Sequence, residues 1–213
     1  MAVTKNKIVI IGCGPGGPGY LTPAGRQAIE QAQVLVGAPR LLMSFCTLNQ
    51  AEVIPVGADI PVALDEIERR RKLRVAVLVT GDPGLCSLAR PVLARFGRNH
   101  CRVIPGVSSV QAAFASAGLD WIDARIISAH ERAPELNAAE LKLAGKIAIL
   151  AGGTAANEWL AGLAREMEKS HQILLCSNLT LPDELVRRVA AARLGRAAIP
   201  SRTVVLFIRK DLL

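Results

Sequence analysis

Aromatic side chains are scarce. Among 213 residues there are four Phe, two Trp and one Tyr, too few to build the stacking platforms that hold single-stranded nucleic acid. No apolar run approaches the length of a bilayer span. The segment Met1-Ala2-Val3-Thr4-Lys5-Asn6-Lys7 leads into only four apolar residues before Gly12, too few for a secretory signal. These absences argue against nucleic-acid and membrane partners. The five cysteines, at 13, 46, 86, 101 and 176, are odd in number and form no C-x-x-C pair, as expected of free thiols in a reducing cytoplasm. No H-E-x-x-H, paired Cys/His spacing or acidic cluster is present, so no protein-bound metal is expected. Acidic residues are also in deficit. Lys and Arg number 26 against 18 Asp and Glu, for a net charge of +8. Such a surplus attracts polyanions, and with nucleic acid and membrane set aside it favours an acidic small molecule. The longest basic run, Arg69-Arg70-Arg71-Lys72, reads as a solvated last helical turn that suits the helix dipole.

What is abundant is core-forming residues: 51% of the chain is hydrophobic. Short β-rich runs at 8–11, 34–36, 53–56, 73–80, 101–104, 125–128, 146–151, 172–177 and 203–208 alternate with helical stretches. The latter fall near 22–33, 39–45, 61–72, 85–97, 109–117, 136–143, 155–168 and 183–193. This alternation predicts α/β architecture with largely parallel sheets. Ala117-Gly118-Leu119-Asp120 is the expected boundary, giving an N-terminal domain over 1–117 and a C-terminal domain over 118–213, each near the small end of the usual range.

The stretch Ile8-Val9-Ile10-Ile11-Gly12-Cys13-Gly14-Pro15-Gly16-Gly17 spells G-x-G-x-x-G after a strand, the dinucleotide fingerprint. Its context contradicts the spelling. In a dinucleotide fold the helix opens on the glycines so that its amides meet the pyrophosphate. Here Pro15 and Pro18 remove donors, and the first good helix start is Thr22 as N-cap with Pro23 behind it. The second strand ends in Gly37-Ala38-Pro39, with no acid to hold a ribose. The glycines read as a close-approach loop for another ligand.

Further loops follow strand ends, where α/β proteins place ligands. Thr80-Gly81-Asp82-Pro83-Gly84 puts a carboxylate at a sheet edge, and Asp82 could equally cap a helix. Pro105-Gly106-Val107-Ser108-Ser109 offers two serines for capping or for a polar ligand. Ser128-Ala129-His130-Glu131-Arg132 pairs an imidazole with a guanidinium that could contact carboxylates. His100 and His171 have no supporting neighbours. Ala151-Gly152-Gly153-Thr154, Ser177-Asn178-Leu179-Thr180 and Pro200-Ser201-Arg202-Thr203 each read singly as ordinary turns, and together as one edge of a ligand cleft.

In this order the Gly12-to-Thr22 loop, Gly81-Asp82-Pro83, Pro105-Gly106-Val107-Ser108-Ser109, Trp121 with Asp123, and Ser128-x-His130 resemble the tetrapyrrole methyltransferases. That family methylates corrin and sirohaem precursors from S-adenosylmethionine. The chain length, Ala151-Gly152-Gly153-Thr154 and Asn178-Leu179-Thr180-x-Pro182-x-Glu184 are most similar to the branch acting at C-5 of (cobalt-)precorrin-7. The resemblance implies two α/β domains with S-adenosylmethionine in the cleft between them, in a cytoplasmic homodimer. It implies cofactor contacts from Asp82, Leu85, Ser108, Ser109, Ala151 and Leu179. It implies substrate contacts from Gly14, Pro15, Gly16, Gly17, His130 and Arg132, and a polycarboxylate tetrapyrrole as substrate. A separate C-15 methyltransferase and decarboxylase would act next. No residue is assigned as a catalytic base. Two positions depart from the pattern: Glu131 stands where Gly is usual, an acid facing a polycarboxylate, and Leu85-Cys86 replaces the aromatics common after Gly-Asp-Pro. The alternatives are another tetrapyrrole methylation position, a ribosomal-RNA ribose methyltransferase of the same superfamily, and an adenosine-nucleotide-binding regulatory module.

Overall fold

The computed structural model describes residues 8–57, 59–130, 132–136, 138–152, 157–194, 199–200 and 202–213. Met1–Lys7, Glu131, Gly153, Thr154 and Ser201, all named above, lie outside them, as do position 137 of the helix expected at 136–143 and the first two positions of the helix expected at 155–168. The chain divides into two compact units, Met1–Ser108 and Ser109–Leu213. The division falls one helix ahead of the boundary expected from sequence. That helix, Ser109–Ser116, buries Val110, Ala112, Ala113 and Phe114, and it touches the last strand of the second unit.

The first unit carries β1 (Ile8–Gly12), α1 (Pro23–Glu30), β2 (Val34–Gly37), α2 (Pro39–Phe45), β3 (Glu52–Pro55), α3 (Ile60–Arg69), β4 (Val75–Val79), α4 (Ala89–Phe96) and β5 (Cys101–Ile104). Its strands form one parallel sheet in the order β3-β2-β4-β1-β5. Parallel strands need helical crossovers, which cover both faces and bury each strand on both sides. The apolar runs of β1, β2 and β4 follow from this. One face packs Ile8, Ile10, Val34, Val36, Val75 and Val77 against Ala63 and Ile67 of α3 and Ala89 and Val92 of α4. The other packs Ile11, Leu35, Ala76 and Leu78 against Ile29 of α1 and Leu41, Leu42 and Phe45 of α2. The helices start where the sequence marks them. Thr22 Oγ1 accepts from the Gly25 amide at 3.1 Å, and Asp59 Oδ1 from the Val62 amide at 3.1 Å.

The second unit carries α5 (Ser109–Ser116), β6 (Arg125–Ser128), α6 (Ala138–Leu141), β7 (Lys146–Ala151), α7 (Asn157–Met167), β8 (His171–Ser177), β9 (Leu185–Arg188), α8 (Ala191–Leu194) and β10 (Thr203–Arg209). Its sheet order is β6-β7-β10-β8-β9. Only β6 and β7 run parallel, whereas β7–β10, β10–β8 and β8–β9 are antiparallel. The expectation of largely parallel sheets therefore fails here. The helix expected at 183–193 is also replaced, by β9 and the one-turn α8. Leu185, Val186, Arg187 and Arg188 pair with Ser177, Cys176, Leu175 and Leu174, so the open edge of β8 overrides local helix propensity. Exposed Arg187 and Arg188 put charge on the new edge, which discourages further strand addition.

His171 is a satisfied core histidine. It is 1% exposed, with Nε2 2.9 Å from the Ala144 carbonyl and Nδ1 2.9 Å from Ser170 Oγ. A carbonyl only accepts, so Nε2 carries the hydrogen. Among the described residues no helix is long and apolar enough to cross a membrane.

Candidate active site

In the first unit the carboxyl ends of β1, β4 and β5 converge on backbone alone. A Cβ built on Gly12 would lie 2.6 Å from the Gly106 nitrogen and 2.8 Å from the Gly81 oxygen. One on Gly106 would lie 2.5 Å from that oxygen and 2.7 Å from the Gly12 carbonyl. No side chain fits at either position. Gly14 and Gly81 form an isolated antiparallel bridge, with the Gly81 amide donating to the Gly14 carbonyl at 2.8 Å. Both have positive φ, 78° and 69°, a region open to glycine at little cost.

Asp82 locks this floor. Its Oδ1 accepts from the Gly84 amide at 2.7 Å and its Oδ2 from the Gly106 amide at 3.1 Å. The helix-cap reading of Asp82 is therefore corrected: α4 opens only at Ala89, with Leu88 at its N-cap, and the carboxylate instead ties the loops after β4 and β5 together. Leu85 closes the same turn, its amide donating to the Asp82 carbonyl at 3.1 Å.

Gly14, Pro15, Gly16 and Gly17 are buried, and the loop reaches solvent through Pro18, Gly19 and Tyr20. Cys13 is buried beside them. Burial pushes its thiol up to about 12, against smaller opposing effects from a backbone hydrogen bond and from the Arg40 charge. Ser108, at the end of the unit, is buried.

In the second unit Ser109 opens α5. Ala151, Thr203 and Ser177 form one rung across β7, β10 and β8. All three are buried, and Ser177 Oγ lies 2.9 Å from Thr203 Oγ1. Leu179 follows, 3% exposed. Around this rung Asn178, Thr180 and Arg202 adopt positive φ of 51°, 67° and 67°. Strain of this kind, in residues that are not glycine, gathers at functional sites. The Asn178 side-chain oxygen is buried with no hydrogen-bond partner among the described residues, while its Nδ2 donates to Asp183 Oδ2 at 2.7 Å. His130 and Arg132 are exposed beyond the end of β6. The structure thus gathers the strand-end residues within each unit.

Three features escaped the sequence reading: the Ser177–Thr203 hydroxyl pair, the strained Asn178, and Arg40, whose Nη2 donates to Thr80 Oγ1 at 2.8 Å. A hydroxyl at a strand end looks like any turn residue until pairing shows its neighbour. For Arg40 a signal was present, a cation three positions after the glycine that ends the second strand.

The pattern of the Tetrapyrrole (Corrin/Porphyrin) Methylases matches residues 7–195. The chain is 31% identical over 180 residues to the cobalt-precorrin-7 C(5)-methyltransferase of Salmonella typhimurium, covering 84% of this chain and 88% of that one. Among solved structures, the cobalamin biosynthesis precorrin-6Y methylase from Archaeoglobus fulgidus matches with a TM-score of 0.73 at 24% identity, over 96% of this chain and 98% of that one. A Thermus thermophilus uroporphyrin-III C-methyltransferase, complexed with S-adenosyl homocysteine, matches at TM-score 0.77 and 18% identity, over 95% and 97%. The two structures share the fold, and the family pattern spans both compact units. The chain belongs to the tetrapyrrole (corrin/porphyrin) methylases.

Proposed function

We propose that this enzyme transfers a methyl group from S-adenosylmethionine to C-5 of (cobalt-)precorrin-7 in corrin biosynthesis. The observation that carries the reading is the identity to the Salmonella protein of that name, which runs through both compact units. The site chemistry fits. S-adenosylmethionine supplies an electrophilic methyl on a sulfonium, and the transfer needs an in-line approach by an electron-rich ring carbon and little covalent help. Holding two reactants in line can supply about 7–11 kcal/mol of the barrier. A floor of packed glycine backbone, fixed by a carboxylate that accepts two amides, suits that role because it is rigid and has no side chain to displace.

The assigned cofactor contacts are Asp82, Leu85, Ser108, Ser109, Ala151 and Leu179. The substrate contacts are Gly14, Pro15, Gly16, Gly17, His130 and Arg132. The net charge of +8 suits a macrocycle carrying many carboxylates. A cytoplasmic homodimer, with a separate protein performing the C-15 methylation and decarboxylation, completes the proposal. The Salmonella relative is named for C(5) alone.

The test is incubation of the purified protein with precorrin-7, metal-free and cobalt-loaded, and labelled S-adenosylmethionine. One methyl added at C-5 with no carbon dioxide released is the expected result. Methylation at another carbon, or decarboxylation by this chain alone, would contradict it. In the same preparation Asp82→Ala should weaken S-adenosylhomocysteine binding by calorimetry, and unchanged affinity would remove Asp82 from the cofactor site.

A further inference from the structure

Beside the turn that Asp82 fixes, a groove of about 440 Å³ runs along α4, within the roughly 300–1,000 Å³ usual for small-molecule sites. It lies inside the first unit. Pro83 and Gly84 border it where the turn leads toward α4, and Ala89, Leu93 and Ala94 supply an apolar lining. Arg90 and Arg98 stand on it near opposite ends of the helix. The eight residues of α4 span about 12 Å, so the two side chains start well apart.

The charges on the groove are of one sign. Among the described residues no acid lines it, and Arg90 and Arg98, both exposed, make no hydrogen bond or ion pair. Arg95 of the same helix does, with its Nη2 3.9 Å from Asp65 Oδ1, and Arg95 is not on the groove. The nearest carboxylate in sequence, Asp82, already accepts from the Gly84 and Gly106 amides. Helix stability does not account for Arg90, because a cation in the first turn opposes the helix dipole. Each guanidinium offers a planar fork that matches a carboxylate bidentately. Two such forks over aliphatic surface suit a ligand with an apolar body and several carboxylates. S-adenosylmethionine, with one carboxylate and a cationic sulfonium, fits this poorly, whereas a macrocycle with acid arms fits it well.

We propose that the α4 groove is a docking site for carboxylate arms of the tetrapyrrole substrate, with Arg90 and Arg98 each gripping one arm. This rests on the substrate class proposed above. Because Pro83 follows Asp82 directly, a macrocycle held there lies beside the turn assigned to the cofactor.

The test titrates uroporphyrin III, a tetrapyrrole octacarboxylate, by its fluorescence. Arg90→Gln and Arg98→Gln should each weaken binding about three- to tenfold, the scale of charge-assisted pairs that stay partly in water. The losses should multiply in the double variant, since the two positions are separate. Ala94→Glu, at an exposed position, adds an acid between the arginines in sequence and should weaken binding as well. Arg95→Gln removes the same charge outside the groove and should bind like wild type. S-adenosylhomocysteine affinity and the melting temperature should be the same in all five variants. Unchanged porphyrin affinity in the double variant, an equal loss in Arg95→Gln, a parallel fall in S-adenosylhomocysteine affinity, or no porphyrin binding by the wild type would overturn the assignment. Wild-type protein that binds uroporphyrin through both arginines yet transfers no methyl to precorrin-7 would sink the C-5 activity and leave the groove in place. Methyl transfer to precorrin-7 with KM unchanged in the double variant would do the reverse.

Discussion

The two units each build a five-stranded sheet, yet they hold their strand-end loops by opposite means. In the first, three strand ends meet as bare backbone, and positive φ at the meeting point falls on Gly14 and Gly81, with Cys86 farther along the loop after β4 the one non-glycine exception among the described residues of that unit. In the second, the rung Ala151-Thr203-Ser177 is joined through a hydroxyl pair, and positive φ falls on Asn178, Thr180 and Arg202. Sheet direction accounts for part of the contrast. Parallel strands all deliver their carboxyl ends to one edge, so three loops crowd together there and only glycine fits between them. An antiparallel sheet returns alternate strands the other way, which leaves room for side chains. At the first edge nothing larger than hydrogen fits, whereas at the second a hydroxyl pair bridges β8 and β10 and the Asn178 oxygen beside it is left without a partner among the described residues.

The strongest test replaces that hydrogen. A Cβ on Gly106 would meet three backbone atoms at 2.5 to 2.7 Å, and none can rotate away. Gly106→Ala should cost about 3 kcal/mol or more, read as a fall in the urea midpoint. The matched control in the second unit is Gly145→Ala. Its Cβ would meet only Leu212 Cδ1, at 2.9 Å, the far end of a partly exposed side chain, and the cost should stay below about 1 kcal/mol. Equal stability of the two variants would break the contrast between the edges.

A smaller effect treats the units alike and so bounds the contrast. Cys13 and Cys176 are both buried, and burial pushes each thiol from 9.0 to about 12; the Glu184 charge adds to the shift at Cys176, while Arg40 opposes it at Cys13. A folded pKa above the unfolded one means the unfolded chain loses its proton first. The stability from each thiol is therefore complete below about pH 9 and is lost as pH rises toward 12. Each should steepen the fall of unfolding free energy by about 1.4 kcal/mol per pH unit across that window. Cys13→Ala and Cys176→Ala should each flatten the curve by that slope, measured by denaturant titration between pH 8.5 and about 10.5. A slope unchanged in either variant would mean that its thiol is not desolvated.

The same contrast decides what was legible in the sequence. Strands buried on both faces read as unbroken apolar runs, so β1, β2, β4 and β7 stand out, and Thr22-Pro23 marks the late helix start that removes the dinucleotide reading. The edge strand β9 carries no such signature. Leu185-Val186-Arg187-Arg188 suits a helix as well as a strand, and its state is set by the open edge of β8, which precedes it across the loop at 178–184. Strand direction was illegible for the same reason, because alternation of strands with helices says nothing about a strand that returns by a loop. At the site, Asp82 was recognisable as a strand-end carboxylate, whereas its partner Gly106, 24 positions away, is a tertiary fact. Arg40 and Thr80, 40 positions apart, are another.

The smallest effect has the opposite sign. Gly162 lies inside α7, and a Cβ built on it meets nothing within 4 Å. Here glycine neither relieves crowding nor supplies a left-handed turn, so its hydrogen costs the helix conformational freedom for no packing return. Gly162→Ala should stabilise the protein by about 0.5–1 kcal/mol, raising the melting temperature by about 1–4 °C. The same substitution type thus runs from severe loss at Gly106 to gain at Gly162, set by the space around the missing Cβ and by the helical backbone at Gly162. A destabilised Gly162→Ala would mean that something beyond this chain fills that space, and a subunit contact on α7 would then be the first place to look, by comparing the sedimentation of the variant with that of the wild type.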